Sequence, residues 1–200
     1  MSSPITAIES RMAHAAPDAP NRLPNSVLAM IIFIVTEIMF FAALMSAHTI
    51  ARATVPGGLW PPVGQPRLPI ERTGFNTAML LLSGVLLFIS SRRARDGYEK
   101  AHAYLAGAIA TGVAFVMLQG VEWVALLREG LTMQSSTHGA FFYLIVGAHA
   151  LHAVVAIAVL TAIYFPMRRG TLAPSTFAAT QVFWYFVVLV WPVIYLRVYL

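Results

Sequence analysis

Five long apolar stretches organise this 200-residue chain, over residues 27–51, 74–91, 103–127, 140–165 and 177–199. A bilayer core about 30 Å thick is crossed by about 20 apolar residues in a helix. In lipid every backbone N–H and C=O must be satisfied inside the protein, which a helix does within one segment. The expected fold class is therefore all-α, an integral membrane bundle of five transmembrane helices over residues 27–200. The second stretch is the shortest and is expected to stand nearly upright. Composition agrees: 58% of residues are hydrophobic and 10% are charged. A soluble domain carries about 25% charged residues to cover its surface. A soluble globular fold and a disordered chain are both excluded.

The segments between the stretches carry the turn residues and most of the charge. Residues 1–26 hold Pro4, Pro17, Pro20 and Pro24 and read as an irregular tail with no signal-peptide core. Residues 52–73 hold five prolines, so this connection is a loop. Shorter polar connections are expected at 92–102, 128–139 and 166–176. The tail and the loops at 92–102 and 166–176 share one side of a five-span bundle and carry eight Lys+Arg, against five on the other. The excess places the N-terminus in the cytoplasm and the C-terminus in the periplasm of a bacterial inner membrane. A net charge of +5, spread this thinly, is no nucleic-acid surface. Rows of small residues are expected to pack helices closely: Ala106, Ala110 and Ala114, Ala108 and Gly112, and Ala148, Ala153 and Ala156.

The polar residues inside the stretches are few. Glu37 is eleventh in its span, about 15 Å from the span's end and so near the midplane. An ionised carboxylate there costs about 2.5–3.5 kcal/mol even on lenient scales, so it must be protonated, paired or wetted. Glu37 reads either as a proton-handling or lipid-contacting group or as a neutral packing residue. Glu122 lies near the end of the third span, where a structural hydrogen-bond role fits best. His149 and His152 are three residues apart and share one helical face. His149 matches the depth of Glu37, so a His–Glu network between helices is expected. No cysteine is present, which excludes disulfides, thiolate metal sites and Cys nucleophiles. Two histidines on one helix are a poor heme or metal ligand set, and no cofactor is expected in this chain. No nucleophile–base pair or phosphate-cradling loop points to catalysis.

Six motifs in order then carry a family resemblance, from about residue 31 to residue 200. Thr36-Glu37-Ile38-Met39-Phe40-Phe41 is similar to a family pattern of Ser or Thr, Glu, two apolar residues and Phe-Phe. Gly57-Gly58-Leu59-Trp60-Pro61-Pro62 matches a GGxWPP loop. Asn76-Thr77 with Leu82-Ser83-Gly84 matches an NT…SG helix, and Leu118-Gln119-Gly120-Val121-Glu122 an LQxxE. Gly130-Leu131-Thr132, Gly139 and Phe141-Phe142 match a turn, and Gly147-Ala148-His149-Ala150-Leu151-His152 a GxHxLH helix. The chain resembles subunit III of the heme–copper respiratory oxidases, in a five-helix form without the family's first two helices. One motif departs: the family's W-H-F-V-D-x-x-W stands here as Trp184-Tyr185-Phe186-Val187-Val188-Leu189-Val190-Trp191. Loss of that His and that Asp together implies that a polar network on the fifth helix has been dismantled as a unit.

The resemblance implies a subunit without its own redox centre. It would pack on the catalytic subunit I, with subunit II nearby. Those partners carry the heme and copper and reduce O₂ to water while pumping protons. It further implies bound phospholipid in a cleft between helix groups, support of proton uptake, and durability during turnover. Part of that cleft's wall would come from elsewhere in this shortened form. Glu37 would be the family's buried carboxylate, with Glu122, His149 and His152 its polar helix residues. The electron donor, cytochrome c or a quinol, stays open, with Glu71 after the loop favouring cytochrome c. Two further readings stay open: a subunit III-like accessory protein of nitric oxide reductase, and a standalone heme b anchor.

Overall fold

A computed structural model describes residues 23–55, 60–62 and 64–200. Five helices account for nearly all of it: α1 Asn25–Ala53, α2 Ile70–Ala94, α3 Tyr98–Arg128, α4 Thr137–Arg168 and α5 Pro174–Ile194. A π-helical turn, Tyr195–Tyr199, extends α5 to the end of the chain. All five are long and apolar enough to cross a membrane. This is the all-α five-span bundle expected from the apolar stretches. Most of residues 1–26 lie outside the described residues, and α1 already begins at Asn25.

The helices outrun the apolar stretches at most ends. At 25 residues α2 is about 37 Å long, so the expectation that it must stand upright is corrected. The connection expected over 92–102 contracts to the turn at Arg95–Gly97, because both flanking helices continue through their charged ends. Charged residues leave lipid but do not stop a helix. What stops α3 is Gly130 at φ 91°, a left-handed position that lets Leu131 N–H reach back to Leu126 C=O at 2.9 Å. Gly170, at φ 68°, ends α4 in the same way, with Thr171 N–H donating to Pro166 C=O at 3.0 Å. Ser136 caps α4, its hydroxyl accepting from Gly139 N–H at 3.0 Å.

Packing follows a heptad-like seam. The buried residues of α3 are Ala101, Leu105, Ala108, Gly112, Phe115, Gln119, Glu122 and Leu126, alternating four and three apart. The row Ala106, Ala110, Ala114 is not that seam; Ala110 is exposed. Ala108 and Gly112 are on it, and so are Ala153 and Ala156 on α4. Gly112 has a physical reason to be glycine: a Cβ there would lie 2.9 Å from the buried Trp184 ring. Helix α2 packs chiefly on α3, α3 on α4, and α5 against α1, α4 and α2. Helix α1 rests on α5 and α4 through one narrow face whose buried members are Val27, Phe41 and His48. Its other faces display Ile31, Ile32, Val35, Ile38, Met39 and Phe40 outward.

Cross-links fix which ends share a side. Ser26 Oγ donates to Ser175 C=O at 3.3 Å, and Tyr98 OH donates to Leu172 C=O at 3.0 Å. These join the starts of α1, α3 and α5 at one end. At the other end Tyr195 OH donates to Ile70 C=O at 3.0 Å, and Tyr143 OH to Leu131 C=O at 2.8 Å.

Candidate functional site

The two intramembrane carboxylates stand in different environments. Glu37 lies on the inward face of α1, with Ile34 and Phe41 one turn either side, and is partly covered. Its Oε2 is 3.0 Å from Nε2 of His152 on α4. The other ring nitrogen of His152, Nδ1, sits 2.7 Å from the backbone C=O of Ala148. A carbonyl can only accept, so Nδ1 carries a proton and donates it. One proton then lies between Nε2 and Glu37. Either a carboxylic acid donates to a neutral ring, or an imidazolium donates to a carboxylate. Both forms leave the pair neutral. Taking the proton away sets two lone pairs face to face; adding one sets two donors face to face.

The His–Glu link between helices was expected, with His149 and His152 both as candidates and His149 at the depth of Glu37. The structure gives the partnership to His152, because His149 faces elsewhere. His149 belongs to the α4 seam with Ala153 and Ala156 and is 1% exposed. Its ring lies 4.9 Å from the Trp191 ring and 6.2 Å from that of Phe115, in the centre of the bundle. Trp191 in turn donates from Nε1 to Thr77 Oγ1 at 2.9 Å.

Glu122 occupies the α3 seam, 5% exposed, inside a hydrogen-bonded cluster. Asn76 Nδ2 donates to its Oε1 at 3.0 Å, and Gln119 Nε2 to its Oε2 at 3.1 Å. Gln119 Nε2 also donates to Tyr199 OH at 3.1 Å. Thr73 Oγ1 lies 3.0 Å from Glu122 Oε2 and 2.9 Å from Pro69 C=O. A hydroxyl has one proton, so Thr73 donates either to a carboxylate or to Pro69 while accepting from a carboxylic acid. The Glu122 carboxyl is therefore satisfied in either form. The structural role expected for Glu122 fits this setting. Thr73, Asn76 and Tyr199 complete the cluster and were not singled out as site residues. The signal available was a polar stripe, Thr73-Asn76-Thr77, on one face of α2 at the start of its apolar stretch.

Of the loop motif, Gly57 and Gly58 lie outside the described residues. Trp60 sits between two histidines from different helices, 5.5 Å from the His48 ring and 5.1 Å from the His138 ring, edge-on to both. Pro61 lines a surface pocket with Arg52 and Arg67, and Pro62 C=O accepts from Gln65 N–H at 3.1 Å. Trp60 thus fills the space between α1 and α4 at the end opposite Ser26. Among the described residues no three His, Asp or Glu side chains are grouped so as to hold a metal. On α5, Val188 fills the groove over Gly84, its Cγ1 3.0 Å from where a Cβ would stand. That contact is apolar, at the position where the resembling family carries Asp.

Comparison with known proteins matches residues 25–200 to the family model described as "Cytochrome c oxidase subunit III". The chain belongs to the cytochrome c oxidase subunit III family. Cytochrome c oxidase subunit 3 of Dasypus novemcinctus is 32% identical over 179 residues, covering 85% of this chain and 67% of that protein. The subunit 3 of Ovis aries is 31% identical over the same length. That of Litocranius walleri is 30% identical over 189 residues, covering 90% of this chain and 71% of its own. The match begins at the start of α1, so every helix of this subunit III, including the weakly packed first one, belongs to the family fold. The resemblance read from six motifs is the family the whole membrane domain shows.

Proposed function

We propose that this subunit III is a non-redox membrane subunit of a heme–copper terminal oxidase. It would pack on catalytic subunit I, with subunit II in the same complex, and support proton uptake and durability during O₂ reduction. Family membership supports the complex. What supports the finer reading is the Glu37–His152 pair, 3.0 Å apart between two helices near mid-membrane depth, a spacing that one shared proton would bridge. A neutral pair tolerates lipid where an isolated charge does not. Its proton can pass between oxygen and nitrogen without changing the net charge, which suits a group that relays or buffers protons beside a pump. The chain's own residues hold the proton; heme and copper chemistry would belong to the partner subunits. Phospholipid would cover the outward apolar faces of α1, which no other described helix packs against.

Glu37→Gln tests this. The glutamine amide can still donate to His152 Nε2, so the α1–α4 link and assembly are kept while the shared proton becomes fixed. The expected result is a complex of normal yield whose proton uptake slows or whose inactivation during turnover accelerates. Unchanged proton uptake and unchanged inactivation would return Glu37 to a packing role. The partners are checked separately, by the subunits that purify with the chain. A heme b and non-heme iron partner in place of a heme–copper one would overturn the oxidase assignment.

A further inference from the structure

A half-open pocket of about 140 Å³ lies at the end of the bundle opposite Ser26. Arg52, in the last turn of α1, and Arg67, in the α1–α2 connection, line it with Trp60, Leu68, Ile70 and Val198. Its wall is polar and apolar in similar measure. Both arginines are exposed, and no Asp or Glu lines the pocket. Leu200 reaches the rim, yet among the described residues neither guanidinium has a carboxylate within 4 Å, a terminal one included. The sequence agrees, since residues 54–69 contain no acid at all. The pocket beside Arg168 and Arg169 at the other end differs, because Glu99 lines it too. Two cations in one recess without an acidic side chain describe a site for an anion.

Depth says which anion. Helix α1 runs unbroken from Glu37 to Arg52, 15 residues on. That places Arg52 about 22 Å from Glu37 along the axis. Half of a bilayer, headgroups included, is about 20–22 Å. With Glu37 near the midplane, Arg52 stands at the level of the lipid phosphates. The guanidinium fork matches phosphate oxygens, and it stays charged at any physiological pH. Leu68, Ile70 and Val198 give the same recess an apolar side, and Ile70 is exposed on its rim. A free phosphate has no use for that side, whereas a lipid's glycerol and first methylenes do. A zwitterionic headgroup also brings an ammonium, which finds no acidic side chain in the lining. A headgroup whose only charge is its phosphate fits.

We propose that this pocket holds the headgroup of one anionic phospholipid, its phosphodiester accepting from Arg52 and Arg67. The site is separate from the apolar faces of α1. The proposal deepens the phospholipid reading above by naming a headgroup class and two residues. It rests on depth and charge, not on proton uptake or on the identity of the partner subunits, so the measurements below can fail while those readings stand.

The test counts phospholipids that stay with the complex when it is purified from its native membrane through a tag on this chain and washed in detergent. Arg52→Gln with Arg67→Gln should lose one anionic phospholipid per complex and keep its zwitterionic lipids. Arg128→Gln with Arg197→Gln removes the same charge from the same end outside the pocket, and should lose none. Equal counts in wild type and the pocket variant overturn the proposal, and so does an equal loss in both variants. Loss of a zwitterionic lipid alone overturns the headgroup class. Phosphorus that remains on the wild-type protein after lipid extraction, and is absent from the pocket variant, marks a free phosphate and overturns the lipid. Should the pocket variant fail to assemble, a cryo-EM map of the wild-type complex decides. Expected is phosphate density within about 3 Å of the Arg52 and Arg67 guanidinium groups, continuing into acyl density. An empty pocket there sinks the proposal.

Discussion

At the level of single residues, burial and hydrogen-bond capacity separate the carboxylates by task. Glu122 faces three donors from two helices, and a truncation there strands them. Glu122→Ala leaves Asn76 and Gln119 amides without acceptors in the core, at about 1–3 kcal/mol each. Glu122→Gln can be absorbed by turning the Asn76 amide, whose oxygen then accepts. The expected order of thermal stability in detergent is wild type, then Gln slightly below, then Ala several degrees lower. An Ala variant as stable as wild type would remove Glu122 from the stabilising set. The sequence showed that Glu37 and Glu122 were out of place in lipid, because depth along a helix follows from counting at a fixed rise. It did not show the azimuth. His149 and His152 share a face in the sense of being nearly one turn apart, yet three steps of about 100° leave them about 60° apart around the helix. That rotation puts His149 on the α3–α5 side and His152 on the α1 side. Depth alone could not say which of the two histidines faces Glu37. Thr73 and Tyr199 were missed because their relation to Glu122 is made by packing, across 49 positions in the case of Thr73.

At the level of elements, the helices were legible and their ends were not. Hydropathy reports the extent of lipid, whereas a helix ends where its carbonyls find other donors. Arg92, Arg93, Glu99, Lys100 and Arg168 therefore marked loops in the sequence and stand in or at the ends of helices in the structure. The choice among several rows of small residues on α3 was likewise hidden, because only the partner surface decides which row faces it. Gly112 and Gly120, two turns apart on α3, make this testable. A methyl at Gly112 meets the Trp184 ring at 2.9 Å, and Trp184 is fully buried and cannot yield. Gly112→Ala should cost about 1–3 kcal/mol through overpacking. A methyl at Gly120 meets nothing within 4 Å. Gly120→Ala should be neutral or stabilise by up to about 1 kcal/mol, the helix preference of alanine over glycine. The pair is compared by thermal unfolding of the purified protein. Equal effects would mean that α3 and α5 do not meet at this seam.

For the whole molecule, the cross-links at each end divide the connections into two sets without saying which set faces the cytoplasm. One set contains Arg92, Arg93, Arg95, Lys100, Arg168 and Arg169, with Arg11 and Arg22 preceding α1. The other contains Arg52, Arg67, Arg72, Arg128 and Arg197. Lys and Arg near span ends are retained on the side of synthesis, so the first set should be cytoplasmic. The cysteine-free sequence makes this directly measurable, because any introduced thiol is unique. Asp96→Cys and Thr171→Cys report the first set and Gln134→Cys the second, and all three positions are exposed in turns. In intact cells a membrane-impermeant maleimide should label Gln134→Cys alone; after the membrane is opened, all three should react. The reverse pattern would turn the bundle over and place the eight-residue cationic side outside. Labelling of all three in intact cells would break the five-span topology itself, since an odd number of crossings is what sets Asp96 and Gln134 on opposite faces.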